Sequence, residues 1–167
     1  LAVCEMPACS VEELLATGKM LLVLDRVGDP GNIGTMLRTA DAAGLGGLVL
    51  LKGSADIYAP KTVRASMGSL FHLPVIGGVS EAELISSARK AGYELLVTCL
   101  DGADNLYKAD LRGRLAFVMG NEANGVTESL LAAADKRVFI PMQGRAESLN
   151  VAMAAGVVMF EALRQRL

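Results

Sequence analysis

The 167-residue sequence predicts an α/β fold: a mainly parallel sheet with helices on both faces. Three observations predict it. Short, solid apolar runs recur along the chain, the form strands take when both faces of a sheet are covered. Segments with helical spacing separate most of these runs, which points to crossover connections rather than hairpins. Turn and capping residues such as Asp29-Pro30-Gly31-Asn32 fall where the pattern changes.

The elements follow in order. Residues 1–19 carry Pro7 and Gly18 and read as a linker or lead-in with a short helix near Val11–Ala16; residues 20–167 read as the main domain. Met20–Leu24 is a buried strand, and after the turn at 29–32 a helix runs from about Ile33 to Ala43, stopped by Gly44. Gly47–Leu51 is a second strand, 60–69 a short helical stretch, and Leu73–Ile76 a third strand. Ser80, with Glu83 three residues on, opens a helix to about Lys90 as a capping box. Strands are then expected at 94–99, 116–119 and 137–140, with a helix at 128–133 between the last two. The final helix, 150–166, holds the longest apolar run, Val151 to Phe160, which is apolar on all sides and therefore expected to be buried all round.

Composition narrows the function. Hydrophobic residues make up 52%, enough for a core without staples, and with no Trp, three Tyr and four Phe that core must be aliphatic. A formal net charge of −2 is unlike a free-standing nucleic-acid binder, although a local basic patch or a partner domain could supply the affinity. Cys4, Cys9 and Cys99 form no CxxC pair and read as reduced thiols of a cytoplasmic protein. The run from Val151 to Phe160 is too short to span a bilayer, so no membrane partner is expected. The start at Leu1-Ala2-Val3 reads as a fragment, with residues 1–19 the tail of a linker from an N-terminal RNA-binding domain. No GxGxxG, Walker-type or GxSxG motif is present, and no acidic or Cys cluster has metal-ligand spacing, so no metal is expected. The single histidine, His72, lies between Phe71 and Leu73 and is expected to pack as a structural residue.

Three strand-to-helix loops carry what chemistry remains: Asp29 to Ala40, Met119-Gly120-Asn121-Glu122-Ala123-Asn124-Gly125, and Ile140-Pro141-Met142 followed by Glu147-Ser148-Leu149-Asn150. Each has an ordinary reading. Asn32 and Ser148 could be helix N-caps, Gly120 and Gly125 turn glycines, and Arg38 a solvated residue. Together and in this order, LDRVGDPGNIGTMLRTADAAG, VMGNEANGV and IPMQGRAESLNVAMAAGVVMFEALRQR resemble the three motifs of the SpoU, or TrmH-type, RNA ribose 2′-O-methyltransferases of the SPOUT superfamily. The resemblance runs from about Leu21 to Arg166.

The resemblance implies a catalytic domain that transfers methyl from S-adenosylmethionine to a ribose 2′-hydroxyl, a deep C-terminal trefoil knot and a homodimer. It implies that Arg38 activates the hydroxyl and that Asn32, Glu122, Ser148 and Asn150 line the catalytic site. It also implies that Gly120, Asn121, Ile140, Met142 and Leu149 hold the donor. Ribosomal RNA is the first expectation for the substrate and transfer RNA the second. Methylation of a base nitrogen, or a non-catalytic RNA-binding module, are the alternatives. Lys52, Lys61 and Arg64 fall near the first-motif loops and could meet RNA phosphates, or be plain surface residues. The second motif of the family often reads Gly-x-Glu-Gly-x-Gly, and Ala123 stands where the middle glycine would be. The geometric expectation is that loops 26–34, 119–126 and 140–150 converge and bring the Arg38 guanidinium close to a pocket for the donor, within the single chain or its pair.

Overall fold

The computed structural model describes Glu5 and residues 9–167; Cys4 and Pro7 lie outside the described residues. The strands β1 (Leu21–Leu24), β2 (Gly47–Leu51), β3 (Val75–Val79), β4 (Glu94–Thr98), β5 (Asp104–Asn105), β6 (Leu115–Met119) and β7 (Lys136–Phe139) form one sheet. Its order is β3-β2-β1-β6-β4-β7-β5, and every pairing is parallel. Among the described residues six α-helices accompany it: α1 (Val11–Ala16), α2 (Pro30–Ala42), α3 (Pro60–Ala65), α4 (Glu81–Lys90), α5 (Glu128–Ala133) and α6 (Val151–Arg164).

Side-chain alternation along the strands divides the core in two. Leu22, Leu24, Leu48, Leu50, Leu96 and Phe117 point to one face, where they meet Ile33, Met36 and Leu37 of α2 and Ala155, Val158 and Met159 of α6. Leu21, Val23, Val49, Leu95 and Val97 point to the other, where they meet Leu14 and Leu15 of α1, Leu84 of α4 and Leu130 of α5. Both faces are covered, which is why the strands lack polar alternation.

Because all strands run the same way, the loops after β1, β2, β4, β6 and β7 emerge on one edge. The chain leaves β1 for α2 on the first face and leaves the neighbouring β6 for α5 on the second. Adjacent strands whose connections depart to opposite faces open a crevice between them. Residues 25–29 and 120–127 enter that crevice.

Local chemistry explains where elements begin. The helix expected from Ile33 starts three residues earlier, because Pro30 sits in the first turn and the Asp29 carboxylate caps the Gly31 and Asn32 N–H groups. Asn32 is therefore not the cap. Nor is Ser148, since Asn150 caps α6 by accepting from Ala152 and Met153. Ser80 caps α4 through the Glu83 N–H, but the return bond that would complete a capping box is formed at the start of α1, between Ser10 and Glu13. The third strand lies two to three residues later than expected. The stretch at 60–69 ends its α-helix at Ala65, with a 3-10 turn at Ser69–Phe71. β5, only two residues long, had no sequence signal.

One expectation is overturned. His72 is exposed rather than packed, with Nδ1 3.3 Å from Asp41, because it follows the 3-10 turn on the surface. Within the single chain the sheet and α2 cover one side of α6, and Met153 and Phe160 are 62% and 48% exposed, so burial all round would require a partner.

The end of α6 is pinned by polar bonds. The Glu161 carboxylate accepts from the Arg164 guanidinium at 2.8 Å and from the Gln165 amide at 2.8 Å. Gln165 also bonds Ala109 O and Leu111 N, tying the helix to the segment before β6. The Arg164 bonds, followed by Gln165, hold the Glu161 carboxyl down to about 2 from an ordinary 4.5. A carboxyl depressed in the folded state stabilises the fold above its unfolded value, and that contribution is lost as pH falls through the folded one. Glu161→Gln should therefore flatten the acid limb of stability between pH 4.5 and about 2, read as urea midpoints against pH.

Candidate active site

The three motif loops do converge, through one line of hydrogen bonds. The Asn32 amide donates to Glu122 Oε1 at 2.9 Å, and the Asn150 amide donates to Asn32 Oδ1 at 3.1 Å. Asn150 Oδ1 in turn accepts from the N–H groups of Ala152 and Met153 at 2.9 and 3.3 Å. Both amide orientations are fixed by chemistry, because one end of the line is an acceptor-only carboxylate and the other end donor-only helix N–H groups. Burial works to raise the Glu122 carboxyl. The Asn32 amide and the N–H groups of Glu122, Gly28 and Asp29 outweigh it, so Glu122 titrates below its usual range. At neutral pH the line ends on a full negative charge.

The loop that presents Glu122 turns back on itself. Asn121 and Gly125 exchange backbone hydrogen bonds at 3.1 and 2.9 Å. Asn121 Oδ1 accepts from the Ala123 and Asn124 N–H groups, while its amide donates to Arg26 O at 2.9 Å. A Cβ on Gly120 would lie 2.3 Å from the Gly125 backbone, so no other residue fits there without moving the turn. Ala123 does not have a positive φ, so its side chain meets no strain where the family often has glycine.

Beside this line lies a pocket of about 190 Å³ at the carboxyl ends of β4 and β7. Leu100, Val138, Ile140, Leu149 and Ala154 make its walls apolar, and Thr98, Glu147 and Ser148 add polar atoms. Among the described residues, the backbone groups of 141–149 have no hydrogen-bond partner within the chain. Backbone donors and acceptors left open beside an apolar pocket suit a ligand that is both polar and apolar.

The family model for the SpoU rRNA Methylase family matches residues 19–160. The chain belongs to that family. The SpoU chain is 41% identical over 159 residues to the 23S rRNA (guanosine(2553)-2′-O)-methyltransferase of Bacillus subtilis, covering 95% of this chain and 62% of the relative. It is 39% identical over 172 residues to the 23S rRNA (uridine(2479)-2′-O)-methyltransferase of Streptomyces viridochromogenes, covering 99% and 60%. It thus spans about three-fifths of the length of these curated relatives. The crystal structure of a SpoU methyltransferase from Streptomyces viridochromogenes in complex with AdoMet superimposes with a TM-score of 0.90 at 38% identity, over 97% of this chain and 66% of that one. An AdoMet-bound rRNA methyltransferase from Sinorhizobium meliloti gives a TM-score of 0.86 at 40% identity, over 90% and 57%.

The SpoU motifs do not all gather in one place. Asn32, Glu122 and Asn150 form the line, while Ser148 lines the pocket with Ile140, Met142 and Leu149. Gly120 and Asn121 shape the neighbouring turn and do not line the pocket. Arg38 is exposed six residues beyond Asn32, about 9 Å along α2. It sits in a depression with Thr35, Thr39, Ala42, Ala65 and Phe160, away from the pocket walls. Lys61 is paired with the Asp29 cap at 3.0 Å, whereas Lys52 and Arg64 are exposed.

Sequence reasoning missed Asp25. It is fully buried at the end of β1, where its carboxylate accepts from the Thr127 N–H at 2.8 Å and from Arg26 Nε at 3.0 Å. Arg26, held at a φ of 55°, also donates to Gly125 O at 3.3 Å. A lone acid ending an apolar strand was the only available signal. Asp25→Ala strands the Thr127 N–H and should lower stability by about 1–3 kcal/mol, measured by urea unfolding.

Proposed function

We propose that this chain is the catalytic domain, residues 20–167, of an S-adenosylmethionine-dependent methyltransferase that modifies a ribose 2′-hydroxyl of ribosomal RNA in the cytoplasm. The observation that carries the reading is the Glu122–Asn32–Asn150 line running beside an apolar pocket with unpaired backbone. The AdoMet-bound neighbours and the 2′-O-methyltransferase relatives support it. Residues 1–19, whose helix α1 packs on the sheet, would then lead in from an RNA-binding region, and the threading of 140–167 would give the deep trefoil knot.

The pocket residues fit the donor. Ile140, Met142 and Leu149 would pack against its apolar parts, and the open backbone of 141–149 would meet its polar groups. When bound, S-adenosylmethionine supplies a methyl group activated by its sulfonium. A ribose hydroxyl is a poor nucleophile at neutral pH, so the chain must align it and stabilise the charge that develops on its oxygen as its proton passes to water or a phosphate of the substrate. The Arg38 guanidinium serves that charge. Glu122 remains ionised and holds Asn32 and Asn150 in one orientation toward the substrate.

Arg38 does not line the pocket of its own chain. The reading therefore includes a homodimer in which the exposed Met153 and Phe160 of α6 are covered and Arg38 is carried to the partner's pocket. Phe160→Glu should leave a monomer by sedimentation equilibrium.

Arg38→Ala should reduce transfer of labelled methyl to ribosomal RNA by at least about 100-fold, the scale seen when one charge-stabilising group is removed. Donor binding by calorimetry should be unchanged. Full transfer by that variant would remove Arg38 from the reaction, and methyl mapped to a base would replace the ribose assignment.

A further inference from the structure

The edge of the sheet opposite the motif loops holds a second concentration of functional groups. There the segment before β1, the segment before β6 and the end of α6 enclose a groove of about 450 Å³. Lys19, Arg112, Arg114 and Arg166 line it, and no acidic side chain does so among the described residues. This is a quarter of the sixteen Lys and Arg of a chain whose net charge is −2. A cluster of that kind in a concave site sets up a local positive field that the net charge conceals.

Among the described residues, Arg112 is the one member of the four paired with a carboxylate. Asp110 pairs with Arg112 at 2.9 Å, and Glu94, beside Gly113, is committed to Lys136 at 2.7 Å. Arg114 spends one N–H on Ala91 O at 3.3 Å, with its Nε turned toward Gly18. Arg166 is held by the carbonyls of Ala162 and Gly113, so its fork is fixed rather than free to swing. Burial pushes the Arg166 guanidinium below its ordinary value, with Asp110 acting in the opposite direction. Fixed guanidinium groups facing a groove, with too few carboxylates to match them, are suited to phosphate, whose oxygens accept from such forks bidentately.

We propose that this groove binds phosphate groups of an RNA strand, giving the protein an RNA contact on the edge of the sheet remote from the Glu122–Asn32–Asn150 line. The inference rests on the RNA-methyltransferase reading for the identity of the strand, not for the anion chemistry. β1 alone, at about 3.3 Å per residue, separates the two edges by roughly 13 Å. A substrate engaged at both edges must therefore be folded or extended around the domain, as a structured RNA is and a short oligonucleotide is not. The groove also supplies the local basic patch that an acidic RNA enzyme needs.

The test uses the whole chain with Lys19 and Arg114 changed together, Lys19→Gln and Arg114→Gln, because neither side chain pins the fold as Arg166 does. Binding of a structured ribosomal RNA fragment is followed by fluorescence anisotropy from low to moderate salt. The slope of log affinity against log salt should become shallower by about 2, roughly one for each phosphate contact removed. Donor binding by calorimetry should be unchanged, and the effect on methyl transfer should fall on KM and not on kcat. An unaltered slope and affinity would overturn the proposal. Tripolyphosphate binding that the variant loses, with RNA affinity intact, would make the groove a site for free anions and overturn the assignment to RNA. Failure of the methyltransferase reading is read separately, from the Arg38→Ala variant, whose RNA salt slope is expected to stay within about one unit of the parent's.

Discussion

The site depends on one buried carboxylate. Asp25 follows β1 inside the crevice and reaches the Thr127 N–H beyond the turn that follows β6, while gripping the guanidinium of the residue next to it. Two strands that are neighbours in the sheet are ninety-odd residues apart in sequence, and nothing in a parallel ladder dictates how the loops above them face each other. A charged acceptor in a place without water does dictate it, because leaving either the charge or the N–H unpaired is costly. With Asp25 in place the Asn121 amide meets the Arg26 carbonyl, the turn closes, and Glu122 is presented to α2.

The sheet provides the other half of that arrangement. Departure of the chain to opposite faces from β1 and β6 leaves the two loops unobstructed by helices. The remaining motif arrives from two strands away, by way of β7. Its descent into α6 is what allows an N-capping asparagine to serve at once as a helix start and as a member of the site. One residue thus couples the position of a helix to the orientation of the Asn32 side chain.

Much of this was legible in the amino-acid order. Apolar runs located six of the seven strands within about three residues, and the resemblance of the three motifs to the SpoU family implied that Asn32, Glu122 and Asn150 share one site. The failures have physical causes. The two residues of β5 pair with β7 only because the chain is brought there by other contacts. His72 was placed inside because its neighbours Phe71 and Leu73 are apolar, yet Phe71 is itself exposed. Asp25 reads as an ordinary polar end to a strand, since its partner Thr127 is a backbone group that no side-chain pattern reveals. The cationic groove draws on residues 19, 112, 114 and 166, and only the fold brings these together.

The line from Glu122 through two amides to the start of α6 has a direction. Each member can donate only one way along it, so the groups polarise one another in the same sense, and bonds arranged so reinforce each other. The helix terminus is the electropositive end of α6, and the carboxylate is the electronegative end of the line. The two amides therefore act as a dielectric bridge between opposite partial charges held on separate elements. Any movement of α6, including one imposed from its outer side by another molecule, would be felt as a change of potential at the acid. Mechanical position and electrostatic environment are in this way a single variable of the domain.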